Sequence, residues 1–316
     1  MSINLARYTA DSGAPAWGVV DDGTLLPLPA EYGSTADVLD EGVKLARALL
    51  TDPAAPRLPM DALRLLHPVP DARIYCQGAN YRSHMLESGM DPHRAFNTLF
   101  TKSTASLTGP AEDIIRPSHV RLLDYEVELG IVLGRPITGP VTITDDDLVG
   151  YIGGFVVAND VSARDVQLPQ GQWYKGKSYP TFCPIGPYLC VPDPEEVARW
   201  RELRLTLSVN GTMRQDSLAG DMVFEPSATL TELSTLERLE VGDLLLTGTP
   251  GGVALQPPKP AVQRIAGLLP EGKRWELFVK EQARSSAYLK PGDKVVASIR
   301  TDDGTFDLGT QHCTVR

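Results

Sequence analysis

The chain has 316 residues, 42% of them hydrophobic and 22% charged, and its 30 basic against 40 acidic side chains leave a formal net charge of −10. That length leaves room for about two domains and a large core, and the composition excludes a disordered chain or a coiled coil. The acidic balance, with no basic run longer than a pair, argues against nucleic acid or an anionic membrane as a partner.

Residues 1–68 read as a small N-terminal unit. "INLARYTA" and "AWGVVDDGTLLPLP" have the pattern of short strands, with "DDG" as a hairpin turn. "STADVLDEGVKLARALLTDP" then has helical spacing, with Ser34 or Thr35 as its cap and Pro53 as its end. The N-terminus lacks a charged-then-apolar leader, and no apolar stretch reaches the roughly 18 residues of a membrane span. The expectation is a soluble cytoplasmic protein.

"HPVPDA" leads into residues 69–316, where short β-patterned runs dominate and helical patterning is confined to 80–88, 227–238 and 260–284. No regular βαβ alternation appears, which argues against a doubly wound sheet and for a β-rich α+β fold. The four cysteines show no C-x-x-C spacing, and Cys76 reads as a buried structural thiol. The chain carries no G-x-S-x-G elbow, Walker loop or G-x-G-x-x-G fingerprint.

Chemistry enters at "QGANYRSHMLESG". Asn80 is placed to cap a short helix on which His84 and Glu87 stand three residues apart, on one face. Such a pair serves as a general base for water, or is an incidental surface pair. Next, "LLDYEVELGIVLG" sets Asp124, Glu126 and Glu128 at alternate positions, hence on one face of a strand and roughly 7 Å apart. Like charges so placed are either solvated or share a cation.

"GGFVVANDVSARDVQ" is an apolar strand ending in Asp160. Two Glu and one Asp make an all-oxygen set suited to Mg²⁺, Mn²⁺ or Ca²⁺ rather than zinc. Beyond it, Arg164, Gln167, Lys175 and Lys177 have polar reach. A partly buried Lys beside a metal can donate to an oxyanion or an enolate, whereas a surface Lys does nothing of the kind.

Seven motifs in order, "GANYRSHMLE", "DYEVELGIVLG", "GFVVANDVSARDVQ", "GKSYPTFCPIGPYL", "VNGTMRQ", "LLLTGTPGGVA" and "LKPGDKV", resemble the fumarylacetoacetate hydrolase family. The resemblance implies a mixed β-sandwich or roll, a homodimer, and a divalent metal, Mg²⁺ or Mn²⁺, on Glu126, Glu128 and Asp160, with Asp124 a neighbour. It implies catalytic roles for His84, Glu87 and Lys177, with Lys175 excluded, and substrate contacts by Tyr81, Arg164, Gln167 and Thr249. Lys102 also falls where members carry a Lys.

The chain departs from the family pattern in three ways. Tyr179 and Pro180 follow the Lys where many members have Phe-Asp, an insertion occupies about 258–286, and the N-terminal unit belongs only to the longer members. The implied reaction is hydrolysis of a C–C bond in an acylpyruvate or other diketo acid. The alternatives are decarboxylation or tautomerisation of a 2-oxo acid such as oxaloacetate, hydration of a 2-oxo-enoate, and a catalytically silent metal-binding homologue.

Overall fold

The computed structural model describes residues 2–29, 32–258 and 267–316. Among them, eleven strands form one sheet. Its central members are Leu189–Val191, Ile152–Asn159, Val127–Leu133, Leu244–Leu246, Ile74–Gly78 and Thr98–Lys102, in that order. Neighbours run antiparallel except Leu244–Leu246, which lies parallel to Ile74–Gly78.

A second sheet has the order Thr212–Leu218, Leu203–Val209, Lys294–Thr301 and Asp307–Thr314. Its strand LRLTLSV alternates buried and half-buried residues, as a sheet with one covered face requires. The covered face meets the first sheet. Leu129, Ile131, Leu133, Phe155 and Val157 share a core with Leu205, Leu207, Ala297 and Ile299. This is the expected β-rich α+β sandwich, in which central strands buried on both faces read as unbroken apolar runs.

The other face of the central strands explains the N-terminal residues. Val132, Val156, Ala158 and Leu244 pack with Ile3, Leu5, Trp17, Val19 and Leu26. Ile3–Thr9 also pairs with Leu189–Val191, so Pro15–Asp21 and Thr24–Pro27 extend the main sheet. The unit expected over 1–68 thus shares both its sheet and its core with residues 69–316, because its short strands bury too little on their own. The "DDG" hairpin has Asp22 and Gly23 at positive φ, as a tight two-residue turn requires. Ser34 caps the following helix in a capping box with Asp37.

Of the expected helix at 260–284, Glu271–Gln282 is helical, and residues 259–266 lie outside the described residues. Its end is tied down where Gln282 bonds Gln256 O (2.8 Å) and accepts from Tyr288 Oη (2.7 Å). No helix among the described residues is long and apolar enough to cross a membrane.

Candidate metal centre and active site

The acidic run is two strands, Leu123–Asp124 and Val127–Leu133, rather than one. Three successive amides at the break bond side chains instead of a partner strand. Asp124 Oδ1 accepts from Tyr125 N (2.9 Å), Asn159 Oδ1 from Glu126 N (3.0 Å) and Gln215 Oε1 from Val127 N (2.9 Å). The break sends Asp124 away from the other two acids. It pairs with Arg164 and accepts from Ala254 N (2.8 Å) and Leu255 N (3.0 Å), which pins the root of the insertion.

Glu126 and Glu128 meet Asp160 instead, with one carboxylate oxygen from each lying within 4.8 Å of the others. Asp124, Glu126, Glu128 and Asp160 are at most 5% exposed, so the face is not solvated. Buried carboxylates need partners. Lys177 Nζ lies 2.8 Å from Glu126 Oε2 and 2.5 Å from Asp160 Oδ2. Lys102 Nζ pairs with Asp160 Oδ1 and also donates to Phe182 O (2.6 Å). Arg164 bonds Asp124 through Nε (2.8 Å) and reaches Glu126 Oε1 through Nη2 (2.5 Å).

These contacts decide the charge states. Burial alone would push Glu126 up, but Lys177 and Arg164 outweigh it and hold the carboxyl well below the usual range. Burial alone would lower Lys177, and Asp160 and Glu126 more than reverse that. Glu128 fares differently. Burial, then the charges of Asp160 and Glu126, push it well above its ordinary value, and among the described residues its one hydrogen-bond donor is Gly248 N at 2.9 Å. Four carboxylates face three cations, and the carboxylate without a cation is one of the triad. An all-oxygen donor set with that surplus fits a hard divalent cation.

The sequence-derived candidates separate by environment. Of the two lysines, Lys175 is exposed and Lys177 buried. Gly176 brings Lys177 inward, since a Cβ there would lie 2.7 Å from Gln167 Cβ. His84 sits buried on the Arg82–Glu87 helix, and its Nδ1 has no hydrogen-bond partner among the described residues. Burial lowers its pKa, opposed by the charge of Glu126 and assisted by that of Arg164, so the ring lies within electrostatic reach of the acid cluster.

Among the described residues, His84 and Glu87 make no hydrogen bond to each other. Glu87 is exposed and accepts from Gly252 N (2.8 Å), held there by a glycine turn whose Gly251 backbone lies against its carboxylate. Asn80 is not a helix cap either. Tyr81 occupies the N-cap position, and Asn80 clamps the backbone of Phe224 and donates to Thr247 O (2.9 Å).

Among the expected substrate contacts, Tyr81 is fully buried. The other three bond the frame of the site. Gln167 Oε1 accepts from Arg164 (2.9 Å), and Thr249 Oγ1 donates to Val127 O (3.0 Å) and accepts from Gln215 (2.8 Å). Cys76 is buried, and burial raises its thiol, as a structural residue requires. Sequence reasoning missed Asn159 and Gln215 as holders of the ligand strand, and it left Lys102 without a role. Position alone could have found Asn159, since it precedes Asp160.

The turn at 248–252 has little tolerance. Gly252 has φ +98°, and a Cβ there would lie 1.9 Å from Arg214 O. Gly252→Ala is expected to lower stability by about 2 kcal/mol or more, since strain and overlap add. Denaturant unfolding measures it, and a loss within about 0.5 kcal/mol would contradict this packing.

Comparison with known proteins places this geometry. The family model described as "Fumarylacetoacetate (FAA) hydrolase C-terminal" matches residues 73–316. The chain is 36% identical over 242 residues to the mitochondrial oxaloacetate tautomerase Fahd2a of Rattus norvegicus, covering 75% of each chain. It is 37% identical over 240 residues to a 2,4-didehydro-3-deoxy-L-rhamnonate hydrolase of Sphingomonas sp., covering 76% of this chain and 71% of the relative. Among solved structures, the fumarylacetoacetate hydrolase of psychrophilic Exiguobacterium antarcticum superposes with TM-score 0.74 at 29% identity, over 99% of both chains.

Proposed function

This chain belongs to the fumarylacetoacetate hydrolase family, and from that premise we propose that it is a divalent-cation-dependent tautomerase of an enolisable 2-oxo acid, oxaloacetate or a close relative. One observation carries the reading. The buried triad Glu126, Glu128 and Asp160 is braced by Lys177, and beside it the His84 ring keeps a free nitrogen while Glu87 is engaged elsewhere. Tautomerisation needs one proton carrier and an environment that favours an enolate; hydrolysis needs an oriented base for water as well.

Glu126, Glu128 and Asp160 would hold Mg²⁺ or Mn²⁺, which when bound would supply Lewis-acid polarisation of the 2-oxo carbonyl. Lys177 has three N–H donors; Glu126 and Asp160 take two, and the third serves the substrate oxygen that gains charge. His84, kept neutral by burial, takes the proton from the carbon next to that carbonyl and returns it there in the reverse direction. The ring then delivers that proton to the enolate oxygen, so one C–H bond breaks, one O–H bond forms and His84 ends neutral, without water. A divalent cation would turn the four-to-three charge excess of acids into one net positive charge, which suits an anionic substrate.

C–C hydrolysis of an acylpyruvate is the second reading. Glu87 stands one helical turn from His84, and release from Gly252 would let it orient the ring. The Sphingomonas relative carries a hydrolase name. A catalytically silent homologue would have no use for this intact set of acids, Lys177 and His84. A homodimer in solution belongs to the same proposal.

The test strips the protein with chelator and follows oxaloacetate enol absorbance with and without Mn²⁺, alongside NMR of acetylpyruvate. Cation-dependent enol–keto conversion with acetylpyruvate intact supports the tautomerase; release of pyruvate and acetate moves the assignment to hydrolysis. The pH profile tests His84. A ring whose pKa is depressed stays neutral, and able to accept a proton, to lower pH. The acid limb of kcat/KM is therefore expected below the ordinary His value of about 6.5. An acid limb above that value would remove His84 as the base.

A further inference from the structure

Thr212–Leu218 is the outer strand of the second sheet, and of its seven residues only Gln215 is buried. The local geometry explains this exception. Leu207 lies opposite Gln215 and Ser208 opposite Met213, so Arg214 is an extra residue in a β-bulge. Bulges bend a strand and redirect the neighbouring side chain. Here Gln215 is turned into the interior at 1% exposure.

Both ends of that side chain are used. Oε1 accepts from Val127 N (2.9 Å), the amide between the two glutamates of the triad. Nε2 donates to Thr249 Oγ1 (2.8 Å) and Pro250 O (3.0 Å). The turn it grips holds the site on two further sides. Gly248 N donates to Glu128 Oε2 (2.9 Å), while Gly251 N donates to Ser83 Oγ (3.3 Å) and Gly252 N to Glu87 Oε2 (2.8 Å), both on the His84 helix. The Arg214 carbonyl also supports the turn, lying where a Cβ on Gly252 would sit.

We propose that Gln215 is a positioning residue that fixes the Glu126/Glu128 pair in register with the 248–252 turn, and through that turn with the helix that carries His84. The inference rests on the reading of the triad as a cation site. Gln215 bonds none of the triad oxygens; it acts through the backbone groups on either side of them. No solvent reaches it to replace its bonds, so truncation leaves Val127 N and Pro250 O without partners.

The test compares Gln215→Met, which keeps volume and removes both ends, with Gln215→Glu, which keeps the acceptor for Val127 N and loses the donors to the turn. Mn²⁺ affinity is read by calorimetry, and amide hydrogen exchange is read on the metal-free protein. Gln215→Met is expected to weaken Mn²⁺ binding by about 10–100-fold, the usual effect of losing a group that orients metal ligands. Gln215→Glu should weaken it less. In both variants exchange should accelerate over 247–256 and stay unchanged over 152–159.

Wild-type Mn²⁺ affinity and wild-type exchange over 247–256 in both variants, with only a lower melting temperature, would reduce Gln215 to a core filler and overturn the proposal. Should unaltered protein bind no Mn²⁺, the cation reading fails on its own. The exchange comparison still decides the link: acceleration confined to 247–256 sustains it, and no acceleration overturns it.

Discussion

Changing Glu126 and Glu128 together to alanine is expected to abolish turnover and to erase the rise in melting temperature expected of the unaltered protein on adding Mg²⁺ or Mn²⁺. At a cation concentration 100 times Kd, that rise corresponds to about 2.7 kcal/mol of stabilisation, and a protein without the site gains none of it. The metal-free variant should not collapse, because two effects offset. Removing Glu128 deletes a buried carboxylate that Asp160 and Glu126 repel and that no cation pairs. Removing Glu126 takes a partner from Lys177 and from Arg164, but each retains another, Asp160 and Asp124 respectively. Thermal unfolding with and without Mn²⁺, alongside the enol assay, separates the outcomes. A wild-type thermal shift or undiminished turnover would sink the triad as the cation site.

The same residues show how far the sequence could be read. Alternation at 124, 126 and 128 announced a charged face, and the apolar run after it announced burial; both are local properties. That Asp124 leaves the face was not legible, because the strand breaks where Asn159 and Gln215 supply acceptors from distant segments. The spacing of His84 and Glu87 was visible, yet whether they bond depends on an amide 165 residues away that competes for the carboxylate. The choice between Lys175 and Lys177 turned on Gly176, whose missing side chain lets one short helix approach another. The fold class followed from strand patterning. The joining of residues 1–68 to the main sheet did not, since edge pairing leaves no mark in composition.

The two buried lysines on Asp160 should separate rate from stability. Both pair with one carboxylate, yet their other bonds differ: Lys177 also holds Glu126, whereas Lys102 holds the backbone oxygens of Phe182 (2.6 Å) and Val161 (3.4 Å). Lys177→Met removes the donor proposed for the reacting oxygen, so kcat is expected to fall about 10²–10³-fold. Its metal-free form should lose about 3–5 kcal/mol, the cost of breaking a buried ion pair, and recover much of it when a cation neutralises Glu126 and Asp160. Lys102→Met incurs a similar loss, but added cation cannot satisfy the carbonyls of Phe182 and Val161, so recovery should be smaller, with a milder rate effect in the folded fraction. Unfolding curves with and without Mn²⁺, with kcat measured per folded molecule, test this. Equal recovery and equal rate loss in the two variants would mean that both lysines serve only to balance Asp160, and Lys177 would lose its assignment as the oxyanion donor.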